Sequence, residues 1–158
     1  MTETEYLRTS FPDVDREFVD GEVFERSMPN TYHAEVVDNL GRFCWRHTSS
    51  LYVRPEVRIR VRPGKYRVPD VSVFWPNKPK EAIPEFPPLI ALEVLSPDDR
   101  MSDLLRKLSD YHDLGVPHVW LINPEARLMY RFDGSLRETA AYDIPECGLT
   151  ATATDLIG

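Results

Sequence analysis

Two carboxylates, Asp70 and Glu93, stand where local structure does not require an acid. Asp70 follows Pro69 at the opening of an otherwise apolar stretch, and Glu93 lies between aliphatic residues in LIALEVL (89–95). A buried ionised carboxylate is costly unless it is paired or holds a cation. Side by side on adjacent strands, the two acids would form an oxygen-rich site of the kind that Mg²⁺ prefers.

Each acid taken alone also has a structural interpretation. Asp70 could accept hydrogen bonds from backbone amides where a strand begins. Glu93 could form a buried ion pair with one of the chain's arginines. The pair therefore favours a metal site more strongly than either residue does alone.

Hydrophobic periodicity predicts the elements that position these residues. Asp20-Gly21 between short alternating segments predicts a β-hairpin over 17–25. Apolar residues at three- and four-residue spacing predict helices over Tyr32–His47 and Ser102–Leu114. The predicted strands are 51–62, 68–75, 89–95 and 119–122, followed by a closing hairpin over 127–142.

The order of these elements predicts an α/β or α+β fold in one domain over residues 1–158. The strands at 89–95 and 119–122 look buried on both faces and are joined by a helix, which is the crossover expected between neighbouring parallel strands. A chain of 158 residues with 42% hydrophobic and 28% charged residues lies in the globular range.

Composition excludes several classes of protein. The net charge of −7 argues against a surface coated with basic residues for indiscriminate nucleic-acid binding. The two cysteines, Cys44 and Cys147, are too few for a disulfide framework and lack zinc-ligand spacing. Neither a secretory signal nor an apolar run long enough to span a membrane is visible. We therefore expect a cytoplasmic protein with no membrane partner.

Three segments resemble a known family: RVPDVSVF (67–74), IALEVLSPDDR (90–100) and KLSDYHDLGVPHVWLINP (107–124). They resemble the Uma-type family of restriction endonuclease-like proteins, a branch of the PD-(D/E)XK nuclease superfamily. With Asp20-Gly21-Glu22 and His33, the resemblance spans about residues 16–132. It implies a restriction-endonuclease-like mixed sheet flanked by helices, with hairpins near both ends.

The resemblance also implies a catalytic lysine. The superfamily signature places a lysine two residues after the glutamate, where this chain has Leu95. The family resembled carries a lysine from the following helix instead, and Lys107 occupies that place. The long stem of Lys107 could lie along the sheet and deliver its ammonium to the carboxylates.

The function implied is metal-dependent cleavage of nucleic acid. Asp70 and Glu93 would bind Mg²⁺, with Mn²⁺ as an alternative ion, and Lys107 would orient the attacking water or neutralise transition-state charge. Glu22 and His33 would be supporting residues. The substrate implied is DNA, and resemblance to nucleases that cut two strands suggests a homodimer.

Basic residues concentrate in residues 54–67, just before Asp70. One interpretation is a track that contacts successive phosphates of the nucleic-acid backbone, and the other is a solvated sheet face or a protected edge strand. The candidate backbone contacts are Arg58, Arg60, Arg62 and Arg67.

Two other functions stay open. The leucine at position 95 favours a catalytically weak or inactive nucleic-acid-binding or dimerisation module that retains the nuclease fold. A metal-dependent hydrolase of a small phosphoester is the third interpretation, for which a basic track would be unnecessary.

Overall fold

The computed structural model describes residues 1–158, which form four helices and twelve strands. The helices are α1 (Glu3–Leu7), α2 (Thr31–His47), α3 (Met101–Leu114) and α4 (Ala153–Leu156). The strands are β1 (Glu17–Val19), β2 (Glu22–Phe24), β3 (Tyr52–Pro55), β4 (Ile59–Arg62), β5 (Lys65–Arg67), β6 (Val71–Phe74), β7 (Ile90–Val94), β8 (His118–Asn123), β9 (Leu128–Phe132), β10 (Leu136–Thr139), β11 (Ala141–Ile144) and β12 (Leu149–Thr152). None of the helices is both long enough and apolar enough to cross a membrane.

A central six-stranded sheet, in the order β10-β9-β8-β7-β6-β3, carries the fold. Strands β7 and β8 are parallel and are connected through α3, while the other neighbouring pairs are antiparallel. The predicted mixed sheet, its helical crossover and the two hairpins β1–β2 and β9–β10 are confirmed.

Alternation along β7 decides which way Glu93 faces. Ile90, Leu92 and Val94 join the larger hydrophobic cluster, which contains buried residues of α2, whereas Ala91 joins the cluster of α3. Because successive side chains of a strand point to opposite faces, Glu93 points toward α3. The acid is thus directed at the helix that carries Lys107.

The single strand predicted over 51–62 is wrong, because the chain divides there into two strands of different sheets. Strand β3 is the edge of the central sheet beside β6, and β4 belongs to a second sheet of order β2-β1-β5-β4. The break is at Glu56, whose φ of 52° is in the left-handed region. A register shift between Arg60 and Arg62 further disturbs the predicted alternation.

The closing hairpin is shorter than predicted. Strand β10 ends at Thr139, and β11 turns away to pair with β12 in a two-stranded sheet. This places Tyr142 of β11 against Trp120, with ring centroids 4.0 Å apart and an interplanar angle of 5°. The stacked pair packs β11 against the central sheet.

Candidate metal centre

Asp70 and Glu93 are held together by the backbones of β6 and β7. Asp70 immediately precedes β6, and its N–H donates to Glu93 Oε2 at 3.0 Å. In return, the Val94 N–H donates to Asp70 Oδ2 at 2.7 Å. The two acids are 9% and 3% exposed. Antiparallel pairing thus produces the adjacent, buried carboxylates that the sequence predicted.

Three basic side chains meet the remaining carboxylate oxygens. Asp70 Oδ1 lies 3.0 Å from Arg26 Nη2 and 3.1 Å from His33 Nε2. Glu93 Oε1 lies 3.6 Å from Lys107 Nζ. The backbone of His33 is fixed at the start of α2, where its N–H donates to the Asn30 side chain at 3.0 Å.

A third buried acid, Glu17, completes the cluster from the N-terminal hairpin. Glu17 is 1% exposed, and its Oε1 lies 3.0 Å from Lys107 Nζ and 3.3 Å from Arg67 Nη1. Its Oε2 accepts from the Val68 N–H at 2.9 Å. Sequence reasoning missed Glu17, because an acid at the start of a hairpin is common. Local pattern held no signal for it, because neighbouring side chains of a strand point to opposite faces and yet Glu17 and Phe18 are both buried.

Burial and like charge act differently on the two central acids. Burial and the neighbouring Asp70 raise the pKa of Glu93 to about 8. Burial also opposes ionisation of Asp70, but the hydrogen bond from His33 and the charges of His33 and Arg26 outweigh it, so its pKa lies below the ordinary value. The cluster therefore favours a charged Asp70 beside a Glu93 that is protonated at neutral pH.

Burial acts in the opposite sense on the two titratable cations, because it disfavours their charged forms and so lowers their pKa values. Burial lowers the pKa of Lys107, but Glu93 and Glu17 outweigh this, so that the pKa is raised and the ammonium stays charged. Likewise, the contact with Asp70 outweighs burial and raises the pKa of His33.

Asp70, Glu93 and Lys107 border a cavity of about 20 Å³, which also touches Arg26 and His33. Its size suits one water molecule or one small ion. A second group of candidate ligands overlaps it, because ligand atoms of His33, Glu56 and Asp70 all lie within 4.8 Å of one another. Carboxylate oxygens in this number fit a hard divalent cation such as Mg²⁺.

Comparison with known proteins identifies the family. The sequence profile of the Uma2 family, described as "Putative restriction endonuclease", matches residues 4–150. The chain belongs to the Uma2 family. The match extends beyond the predicted limits of 16–132 and includes most of α1 and all of β11. No curated protein matches the chain.

A solved structure shows the same fold. It is a crystal structure from Anabaena variabilis, described as "a putative nuclease belonging to DUF820". It matches with a TM-score of 0.84 and 20% sequence identity, covering 99% of this chain and 97% of that chain. The predicted restriction-endonuclease-like fold of this Uma2 chain agrees with that likeness.

The structure does not bring every predicted residue to the cluster. Glu22 is exposed on β2, and its carboxylate makes no hydrogen bond or ion pair. Leu95, at the usual lysine position, packs against the apolar cluster of α3. The N-terminal hairpin of this Uma2 chain therefore contributes Glu17 instead of Glu22.

The four arginines of the predicted track each pair with an acid of the chain. Arg58 is the most constrained, since it binds Asp15 through two nitrogens and lies 4.1 Å from the ring centroid of Tyr6. The other three pairs are Arg60 with Glu85, Arg62 with Asp20, and Arg67 with Glu17 and Asp110. Contact of these arginines with a nucleic-acid backbone stays a prediction.

An open groove of about 1120 Å³ extends from the cluster along α2. His33, Val37, Gly41 and Trp45 line it at four-residue spacing, and a Cβ on Gly41 would meet nothing within 4 Å. Trp45 is 82% exposed at the far end. Because His33 and Glu56 line both the groove and the acidic cluster, the groove leads directly to the candidate metal ligands.

Proposed function

We propose that this Uma2 chain is a metal-dependent endonuclease that hydrolyses phosphodiester bonds of DNA. The observation that carries the proposal is the buried pair Asp70 and Glu93, with Lys107 Nζ 3.6 Å from Glu93 Oε1. An acid pair can hold the metal ion of a phosphodiester hydrolase, and the adjacent, partly buried ammonium of Lys107 can stabilise developing negative charge. Family membership and the fold support the same reaction class.

Asp70 and Glu93 would hold the metal ion, Mg²⁺ or alternatively Mn²⁺. When bound, such an ion supplies charge that polarises the scissile phosphate and lowers the pKa of a water molecule. His33 fixes Asp70 through its 3.1 Å contact with Oδ1. Glu93 must lose its proton to serve as a ligand, because metals bind the ionised carboxylate.

Lys107 would orient the attacking water or stabilise the charge that develops on the phosphate. Its ammonium lies between two acids, 3.0 Å from Glu17 and 3.6 Å from Glu93. Glu17 is a positioning residue in this proposal, since it holds Lys107 without bordering the cavity. Lys107, held by Glu17, would replace the lysine that the superfamily places where this chain has Leu95.

The groove along α2 provides a surface on which the nucleic acid would lie. Trp45 can stack on an unpaired base, and Arg42 and Arg46 stand beside it. Arg42 is already paired with Asp38 at 2.9 Å, which leaves Arg46 as the freer cation. This groove is a second candidate for backbone contacts, in addition to the predicted arginine track.

The decisive experiment is a cleavage assay on supercoiled plasmid, which detects both nicking and double-strand cutting. We expect cutting with MgCl₂ or MnCl₂ and none with EDTA. A dinucleotide-sized phosphodiester would be cut no faster than background if a polymer is required. Efficient cutting of that small substrate would favour a small-phosphoester hydrolase.

The second candidate is a catalytically weak or inactive nucleic-acid-binding or dimerisation module. Leu95 at the usual lysine position and the presence of Arg26 against Asp70 favour it. It predicts DNA binding without cutting in either metal. A single nuclease domain over residues 1–158, a homodimer and a cytoplasmic location remain parts of the proposal.

A further inference from the structure

Arg26 is a buried cation that contacts Asp70, the carboxylate that a metal ion would also bind. The residue follows β2, and its side chain is 4% exposed. Nη2 lies 3.0 Å from Asp70 Oδ1 and 3.7 Å from Glu56 Oε1, while Nη1 donates to the Asp15 carbonyl at 3.4 Å. One nitrogen of the guanidinium thus contacts two carboxylates of the candidate ligand group.

The charge of Arg26 is permanent, because a guanidinium does not deprotonate in proteins. A divalent ion that binds Asp70 therefore meets a fixed positive charge on the same carboxylate. Like charges in a poorly solvated site repel strongly. The ion and the guanidinium accordingly compete for the negative charge of Asp70.

Glu56 offers Arg26 a second partner without a large movement. Its carboxylate is already within ion-pair distance, and its side chain is 39% exposed. The Glu56 N–H donates to the Asp70 carbonyl at 3.2 Å, which fixes Glu56 beside the cluster. A guanidinium that left Asp70 would therefore retain an acid.

We propose that Arg26 is the internal counter-cation of the metal centre, which neutralises Asp70 in the metal-free protein and transfers to Glu56 when a divalent ion binds. The inference rests on the metal centre of the proposed function. It makes the metal affinity the outcome of a competition between the ion and Arg26.

A purely structural role for Arg26 predicts the opposite effect. If Arg26 only braces Asp70, its loss leaves the ligand misplaced and weakens metal binding. If Arg26 competes, its loss strengthens metal binding, although the metal-free protein becomes less stable because a buried pair is broken. The sign of the change in metal affinity distinguishes the two roles.

The test is calorimetric titration of MnCl₂ and of MgCl₂ into the protein without nucleic acid. Arg26→Gln should bind both ions about tenfold more tightly or better than the natural protein, a change of about 1.4 kcal/mol. Arg26→Met carries the same expectation and serves if the glutamine variant does not fold. Arg16→Met is the matched control, since Arg16 lies near the same hairpin and pairs with Glu25 instead of Asp70.

Glu56→Gln tests the transfer step. It should weaken metal binding by removing the alternative partner, and it should have no effect in the Arg26→Gln background, because the two residues would then act through one interaction. Weakening that persists in that background would show that Glu56 is itself a ligand and would overturn the transfer.

Thermal melts supply an independent readout. Saturating Mn²⁺ should raise the Tm of Arg26→Gln more than that of the natural protein, because tighter binding to the folded state stabilises it more. Unchanged or weaker metal binding in both folded Arg26 variants would overturn the inference while leaving the proposed function intact. Absence of metal binding from the natural protein and from all variants would overturn the metal centre itself.

Discussion

The N–H of Asp70 donates to Oε2 of Glu93 at 3.0 Å, so the backbone of one acid fixes the carboxylate of the other. The reciprocal bond from Val94 to Asp70 Oδ2 closes the arrangement at 2.7 Å. Both bonds use carboxylate oxygens as acceptors, which an amide oxygen can replace. The charges of the pair can therefore be removed without removing these two hydrogen bonds.

Asp70→Asn and Glu93→Gln should each abolish Mg²⁺-dependent plasmid cutting while leaving the fold intact. The side-chain volumes barely change, but each variant removes the charge of one proposed metal ligand. Cutting is measured on gels and folding by circular dichroism. Glu138→Gln, which changes an exposed acid of β10, is the control and should cut at the natural rate. Unaltered cutting by both site variants would reject this metal site.

Stability should depend on pH through Glu93 when metal is absent. Its pKa rises from the ordinary 4.5 to about 8, so the unfolded chain releases a proton that the folded chain retains. Stability from this group is therefore lost as the pH rises from 4.5 to about 8.

Glu93→Gln should remove that loss. In EDTA, we expect the difference in Tm between the variant and the natural protein to increase in favour of the variant between pH 5 and pH 8. Each kcal/mol of change in the free energy of unfolding corresponds to about 2–4 °C. Groups that titrate in both proteins, such as His33, cancel in this difference. A Tm difference that is independent of pH would contradict the raised pKa of Glu93.

Lys107→Met should leave the fold intact and lower turnover by a factor on the order of 10² or more, as expected for loss of a transition-state charge contact. Methionine retains most of the apolar stem and deletes the ammonium. Arg106→Met is the control, because Arg106 is exposed on the same helix and pairs only with Asp103. Full activity of Lys107→Met, with loss of activity in Leu95→Ala, would transfer the role to another residue.

Glu17 and Lys107 should be energetically coupled. Glu17→Gln removes the negative charge that lies 3.0 Å from the Lys107 ammonium, so the single variant should lose stability. The double variant Glu17→Gln/Lys107→Met should lose less than the sum of the two single losses, with a coupling of about 0.5–3 kcal/mol. Denaturant unfolding measures all four proteins. Strict additivity would show that the pair contributes nothing.

Local pattern predicted the central part of this site because Glu93 and Lys107 lie on clearly patterned elements and Asp70 opens the apolar strand β6. The continuous apolar run of β7 placed Glu93 inside the protein, and the apolar stripe of α3 placed Lys107 on its inner face. The resemblance then supplied the pairing between them. The family match and the shared fold bear out the architecture that these patterns predicted.

The missed residues depend on contacts that no local pattern contains. Arg26 lies in an irregular segment, and Glu56 lies in the turn that divides the predicted strand into β3 and β4. The partners of Arg26 are distant in sequence: Asp70 is 44 residues away. Such pairs are decided by the docking of the second sheet, which periodicity along the chain does not specify.

Two sets of arginines are candidates for the nucleic-acid contact, and salt dependence separates them. Each phosphate contact that is lost should flatten the slope of log K against log salt by about 0.9 for duplex DNA or about 0.7 for a single strand. Arg60 and Arg62 represent the predicted track, because their side chains are 28% and 47% exposed whereas that of Arg58 is 11% exposed. Arg42 and Arg46 represent the groove along α2.

The double variants Arg60→Gln/Arg62→Gln and Arg42→Gln/Arg46→Gln should therefore be compared on labelled DNAs of unrelated sequence in EDTA, over a series of salt concentrations. Phosphate contacts position the nucleic acid without reading its bases, so the responsible pair should weaken binding equally for unrelated sequences. The chain's net charge of −7 repels DNA, which makes at least one basic surface necessary for affinity. A flattened slope in only one double variant identifies the contact surface. If both double variants bind with unchanged affinity and slope, neither surface contacts the phosphates and both assignments fail.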